Sequence, residues 1–526
     1  MNFTKKIFAR FNAVSCGGIV VAALSVCVAA GCSKESGPDD SGTPGSNQTV
    51  KLVPDRTSVI RNPLSGWVMY LGRSWDENFW TTAGYDNMQT SDGSTVRVSD
   101  YSTTAYLRTS WASLEPEEGH YAWRDKNSRI WRLFKALRDR DMRIALRIVV
   151  DGRDQGQNTP MYVIDAGAEY YSSGKGVHKS PYPDDPVFQE KYAKFITALA
   201  EDFNDPDHVD FIDAFGLGKW GESHAMIYKD AANKVPVFEW LTSLYSSTFT
   251  KVPLVIHYHR KLADTNKDSW GDVAPETERL IDIAISKGYC LRHDAFGMHD
   301  YYQDWEKEFA RKWNFRLPIL MEGGWITAAH HRYWIDSSGK YREGHSEDVR
   351  RGEYEASKEA HVNMMDLRIN DEVASWFSLA FDLVKGFVAE GGYRLYPSEV
   401  SVPERVRRGA DVRVRSVWNN IGWGYCPTNL PQWNQCYKVA FALLDADQKP
   451  AYVFTDYRSD LSKWIKGTPV AYETPISLDG VAKGTYTWAT GLVDTRKEKT
   501  VGLEIAVDER LLAPGKWLKL GRVEIR

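Results

Sequence analysis

A large excess of charge of either sign is missing from this sequence. Its 66 Lys and Arg are set against 70 Asp and Glu, for a formal net charge of −4. No basic surface is therefore available to displace counterions from a nucleic acid. Cysteine is scarce, with six in 526 residues, and no Cys/His spacing fits a zinc site, so no metal and no other cofactor is expected. Beyond the first 30 or so residues no apolar run approaches the roughly 20 residues of a membrane-spanning helix. A Walker loop, a nucleophile-elbow serine and a dinucleotide fingerprint are also absent. Gly152 and Gly156 lack the strand–turn–helix setting of a phosphate cradle.

Aromatic side chains are abundant: 20 Trp and 27 Tyr. Two readings stand side by side. Large barrels pack aromatics in their cores and under their loops, and flat ring faces also match the C–H faces of pyranose sugars.

The N-terminus has the layout of a secretory signal. Lys5, Lys6 and Arg10 are followed by an apolar stretch from Ile19 to Ala30, then by Ala29-Ala30-Gly31-Cys32. This resembles a bacterial lipobox, which implies cleavage after residue 31 and lipidation of Cys32. The Ser-, Gly- and Pro-rich stretch that follows reads as a flexible tether. The expected organisation is a signal peptide over 1–31, a tether over 32–50, a barrel over 51–388 and a β-sandwich over 389–526. The expected location is the envelope of a Gram-negative bacterium, lipid-anchored on the periplasmic or surface face of the outer membrane. Cys426 and Cys436, ten apart in one loop, are expected to form a disulfide in such a compartment, and Cys290 to stay single and buried.

Eight β-like runs occupy residues 64–380: Gly66–Tyr70, Ala105–Thr109, Arg143–Val150, Val209–Leu217, Pro253–Tyr258, Ala295–His299, Pro318–Glu322 and Glu372–Phe377. Helical periods separate them over Ile130–Arg140, Phe188–Phe203, Glu276–Lys287, Trp305–Trp313 and Tyr354–Leu367. This alternation predicts a (β/α)8 barrel, with the first unit weak because Ser74–Val98 reads as polar loop. From Tyr393 on, short alternating runs with turn signals predict an antiparallel β-sandwich.

The active site of such a barrel lies at the C-terminal ends of its strands. Two carboxylates stand out there, Glu222 after the fourth strand and Glu322 after the seventh, each beside Gly and Trp. These ends lie across the mouth from each other, so the pair fits the acid/base and nucleophile of a retaining glycosidase. One must donate a proton to the leaving oxygen; the other must be ionised. Around them, Arg108, Trp220, His224, His257, His259, Asp300, Tyr301, Trp325 and Trp376 are the candidate substrate contacts. His257 and His259 alternate on one strand, and only His299 or Asp300 stands nearby to complete a metal site with them.

Arg108 to Trp123 resembles the R-x-x-W-x-x-L-E-P-E-x-G-x-Y-x-W stretch of β-galactosidase-like and cellulase-like retaining glycoside hydrolases. That resemblance implies an acid/base at Glu222 and a nucleophile at Glu322. The chain departs from many of those families in having Gly221, not Asn, before Glu222. A second resemblance spans nearly the whole mature chain. It rests on Asn62 to Trp67, Trp220-Gly221-Glu222, Gly392-Tyr393-Arg394, Trp418 to Gly422 and Gly484-Thr485-Tyr486. These resemble a bacterial family of glycosidase-like barrels with a C-terminal β-domain and no settled activity. The expected function is a retaining glycoside hydrolase acting on a carbohydrate at the cell envelope. The alternatives are a non-catalytic glycan-binding lipoprotein on the same barrel and a polysaccharide lyase using one carboxylate or His259 as base.

Overall fold

The computed structural model describes residues 46–526 apart from 73–74, 154–155, 174, 266–270, 299, 327–337, 369–370 and 498. The signal layout, Cys32, most of the tether and His299 lie outside the described residues.

Eight parallel strands close into a barrel. They are β1 (Gly66–Leu71), β2 (Ser102–Ser110), β3 (Arg143–Val149), β4 (Val209–Asp213), β5 (Leu254–His257), β6 (Tyr289–Asp294), β7 (Ile319–Glu322) and β8 (Met364–Arg368). Each pairs with the next in chain order, and β8 returns to β1 with Met364 opposite Gly66. Most connections carry a helix against the outside, such as Pro186–Phe203 between β3 and β4. That helix starts where the Asp185 side chain accepts from the Phe188 amide and Pro186 needs no donor partner. The unit after β1 has only the four-residue helix Phe79–Thr82, in keeping with its polar sequence.

Two strands lie away from their expected places. Ala295–His299 is not the sixth strand: Ala295 and Gly297 both have positive φ, which breaks an extended run, and the strand is β6, just before it. Glu372–Phe377 is not the eighth: residues 371–374 are α-helical and 375–379 form a π-helix turn. The true strand, β8, falls at the end of the run that reads as the helix Tyr354–Leu367. That helix is instead Ser346–Glu359. Met364-Met365-Asp366-Leu367-Arg368 has no β-branched residue, so its sequence does not signal a strand.

The C-terminal region forms two antiparallel sheets, as a β-sandwich requires. One holds Asn47–Lys51, Leu395–Pro403, Asp411–Asn420 and Val470–Ser477 in that order. The other runs through Leu518–Ile525, Gly484–Asp494, Tyr437–Leu444 and Pro450–Asp456. Residues 47–50 are thus not tether: Asn47 pairs with Pro403 on a sheet edge.

The barrel floor and the sandwich share one core. Val68, Tyr106, Ala145, Phe211, Val255, Cys290, Leu320 and Met364, one from each barrel strand, belong to the same buried cluster as Trp418, Phe441 and Trp488. Residues 421–436 plug the N-terminal end of the barrel between them. Asn363, just before β8, donates to the carbonyls of Leu64 and Tyr425 at 3.0 and 2.9 Å. Asn429 donates to the Arg316 carbonyl at 2.9 Å, and Trp423 Nε1 to Val362 at 2.7 Å. Cys426 and Cys436 lie in this plug as buried free thiols, so the expected disulfide is not formed. Burial pushes the Cys436 thiol up to about 12 and raises Cys426 as well. Both therefore lack the thiolate that disulfide exchange uses.

Candidate active site

Successive strand residues face opposite sides of a sheet. Two residues beyond the apolar floor, the next inward positions are Tyr70, Arg108, Arg147, Asp213, His257, Arg292, Glu322 and Asp366. Seven of the eight strands change there from a packing residue to a hydrogen-bonding or charged one; on β2 the floor residue Tyr106 already donates to Asp213 at 2.9 Å. Arg147, Arg292, Glu322 and Asp366 have no exposed surface. A charged ring has thus replaced the usual apolar layer of the barrel interior, and it lies at the C-terminal end where active sites of this fold sit.

Arg147 is the centre of the ring. Its Nη1 donates to Glu222 Oε1 at 2.5 Å, its Nη2 to Glu322 Oε2 at 2.8 Å and its Nε to Asp213 at 2.9 Å. The two glutamates singled out from sequence therefore meet on one guanidinium. Glu322 also lies 3.1 Å from His257 Nε2, 3.1 Å from Arg292 Nε and 3.4 Å from Arg368. Burial raises a carboxyl's pKa, but Arg147 and Arg292, helped by His257 and Arg368, outweigh it and hold Glu322 well below the usual range. Burial and Arg147 lower His257; the carboxylates of Asp213 and Glu322 reverse that and bring it to about 9. Asp213, buried but facing Arg147 and His257, falls to about 2.

Glu222 sits on a tightly wound loop after β4. Gly216, Gly218 and Gly221 have positive φ, and so do Trp220, Ser223 and Ala225. Non-glycine residues in that region carry strain of the kind that persists where the surroundings enforce it. Here the enforcers are the Lys219 amide on the His224 carbonyl at 2.8 Å and the Ser223 amide on Leu217 at 2.9 Å. Arg108 lies 3.7 Å from Glu222 Oε1 and donates to the Tyr70 hydroxyl. His224 Nε2 is 3.7 Å from Glu222 Oε2.

The loop after Glu322 is pinned from behind. The Gly323 amide donates to Asp366 at 2.6 Å, Gly324 to Glu353 at 2.7 Å and Ile326 to Glu372 at 2.7 Å. Arg350, buried, pairs with both Glu353 and Glu372. Burial lifts Glu353 to about 7.

Of the expected substrate contacts, several are placed at the mouth. Trp220 and Trp325 are partly exposed; Lys219 lies over the first ring at 4.2 Å and Arg368 over the second at 4.8 Å. Arg108 and His257 touch the glutamates directly, as above. Others do different work. His259 is buried, and its Nε2 is 3.0 Å from the Glu222 carbonyl and 3.1 Å from Ser223 Oγ, so it braces the loop. Burial, with His224 alongside at 4.0 Å between rings, keeps its pKa well below the usual value. His224 is likewise buried, between His259 and Trp220. Tyr301 packs with Met298, Ile326 and Tyr341 in a small apolar cluster. Asp300 is exposed on the loop after β6, where its carbonyl accepts from Arg260. Trp376 is no wall of the site: it is fully buried outside the barrel, edge-on to Trp67 at 5.0 Å. Among the described residues no group of His, Cys, Asp and Glu is arranged to hold a metal ion.

Sequence reasoning missed Arg147, Asp213, Arg292, Asp294, Asp366 and Arg368. The signal was a charged residue two places after an apolar one inside a buried strand, as in Ala145-Leu146-Arg147 and Cys290-Leu291-Arg292. A cavity of about 310 Å³ lies at the opposite end of the barrel, lined by Arg61, Arg143 and Glu504 among others, and is no part of this cluster.

No protein-family model matches the chain, and no curated protein matches it. Solved structures resemble it at low identity. An endo-β-1,4-mannanase from Thermotoga petrophila is 10% identical with a TM-score of 0.38, over 89% of this chain and 98% of that one. The catalytic domain of a β-amylase from Paenibacillus polymyxa is 11% identical with a TM-score of 0.39, over 62% and 98%. Endo-glycoceramidase II from a Rhodococcus species is 12% identical with a TM-score of 0.34, over 80% and 98%. The barrel assignment rests on the strand pairing of this chain itself.

Proposed function

We propose that this protein is a glycoside hydrolase, with Glu322 and Glu222 as its working carboxylates. One observation carries the reading: carboxylates from the loop after β4 and from the end of β7 converge on Arg147 at the C-terminal end of a closed barrel. Cleavage of a glycosidic bond needs an ionised carboxylate to attack or steady an oxocarbenium-like carbon. Glu322, with guanidinium partners on both oxygens, suits that part. Trp220 and Trp325 offer partly exposed ring faces for sugar stacking. The retaining outcome expected from sequence belongs to this proposal, as does envelope anchoring through Cys32.

The test is hydrolysis of a glycan panel by purified protein, with the first-formed anomer read by NMR. Release of reducing sugar with the starting configuration supports a retaining glycosidase, and the opposite anomer supports inversion. A second reading, glycan binding without turnover, draws on the same guanidinium: Arg147 occupies an oxygen of each glutamate. Binding on the panel with no sugar released favours that reading.

A further inference from the structure

The inward position after Arg292 is Asp294, the last residue of β6. It stands opposite Glu322 in the strand register. Its side chain is partly buried, and among the described residues its buried Oδ1 has no hydrogen-bond partner. The charged groups around it are Glu222 and Glu322 on one hand and Arg368 and His257 on the other.

We propose that Asp294 is the acid that gives its proton to the departing glycosidic oxygen, while Glu222 remains a guanidinium-bound carboxylate. This rests on the glycosidase reading above. The geometry separates the three carboxyl groups by what their oxygens already hold. Glu322 faces guanidiniums on both oxygens, and Oε1 of Glu222 accepts from Arg147 at 2.5 Å with Arg108 at 3.7 Å. Oδ1 of Asp294 and Oε1 of Glu322 both lack a hydrogen-bond partner among the described residues, but Arg368 stands 3.4 Å from the latter, whereas no described Lys, Arg or His forms an ion pair with Asp294. Electrostatics point the same way. Burial, then the charges of Glu222 and Glu322, raise Asp294 to about 8 against the opposing pull of Arg368 and His257. A carboxyl that stays protonated beside an ionised one is the arrangement acid catalysis needs.

In the step, the bond from the anomeric carbon to the glycosidic oxygen breaks and its electron pair goes to that oxygen. The Asp294 proton joins the same oxygen, and a Glu322 oxygen bonds to the carbon. In the second step the Asp294 carboxylate takes a proton from water, whose oxygen attacks the carbon and releases Glu322.

The test compares wild type, Asp294→Asn and Glu222→Gln on a natural glycan and on an activated aryl glycoside of the same sugar. Asp294→Asn should lose roughly 10²–10⁴-fold on the natural glycan, the usual worth of a general acid, and keep most of its rate on the aryl glycoside. It should also lose the alkaline limb of the kcat/KM profile, and azide should rescue Asp294→Ala. Glu222→Gln should slow both substrates alike. If Glu222→Gln carries the leaving-group signature instead and Asp294→Asn does not, the inference is overturned and the glycosidase reading stands. If wild type cleaves no glycan, that reading fails and takes the inference with it. Infrared titration of wild type guards against an Asp294→Asn that fails to fold: a protonated-carboxyl band disappearing near pH 8 is expected, and no such band contradicts the proposal.

Discussion

Arg147 has no exposed surface and holds Asp213, Glu222 and Glu322 on one guanidinium. Removing one partner of a buried ion pair leaves uncompensated charge and costs about 3–5 kcal/mol. Arg147→Met should therefore lose stability on that scale by urea unfolding at neutral pH. The sign with pH follows from Glu322. Its folded pKa is depressed, so its contribution is complete above the ordinary carboxylate pKa of about 4.3 and fades as pH falls below it. The gap between wild type and Arg147→Met should narrow in acid. Asp294 has the opposite sign. Its folded pKa is raised to about 8, so the folded state binds the extra proton, and stability falls as pH rises from about 4 to 8. Asp294→Asn should flatten that decline, read by thermal melting across the same range. If the slope is unchanged, Asp294 does not carry the proton.

At the scale of elements, the β4 loop shows how backbone geometry serves the site. A Cβ on Gly218, where φ is +75°, would meet the His224 carbonyl and Met226 Sδ at 2.8 Å. Gly119 has φ +78° with nothing near its Cβ. Both alanine variants should lose about 1–2 kcal/mol from the left-handed backbone, but only Gly218→Ala should also cut glycan turnover, because it displaces the loop that carries Glu222. Equal turnover in the two variants would contradict this. The same loop shows what was legible in the sequence. Glu222 and Glu322 were readable because each ends an apolar run beside glycine and tryptophan. The arginines between them were not: Arg147 lies inside the run Arg143–Val150, where it reads as one more strand residue, and Arg292 lies in a segment without a strand signal. β6 and β8 were displaced for a related reason: Tyr289–Asp294 carries three charged or imidazole side chains, and Met364–Arg368 has no β-branched residue. His259, Tyr301 and Trp376 have the residue types of a sugar site, but burial gives them bracing and packing roles that composition does not reveal.

For the whole molecule, the plug at residues 421–436 ties the two layers of architecture together. Trp423 is buried with the barrel helices and stands 5.2 Å from Tyr354 and 5.4 Å from Phe387 between ring centres. Trp423→Ala should cost about 3–5 kcal/mol and destabilise barrel and sandwich together, so calorimetry should show a single transition that moves as one. Two separated transitions would mean that the shared core does not couple them. The sandwich closes the N-terminal end of the barrel and leaves the C-terminal end, with its charged ring, as the face for a substrate. The most direct test of that account is sugar release from a glycan panel by wild type and by Glu322→Ala, with folding verified by circular dichroism. The account predicts release by wild type from at least one glycan and none from Glu322→Ala, because without that carboxylate nothing attacks or steadies the anomeric carbon. Equal release by both proteins would contradict it.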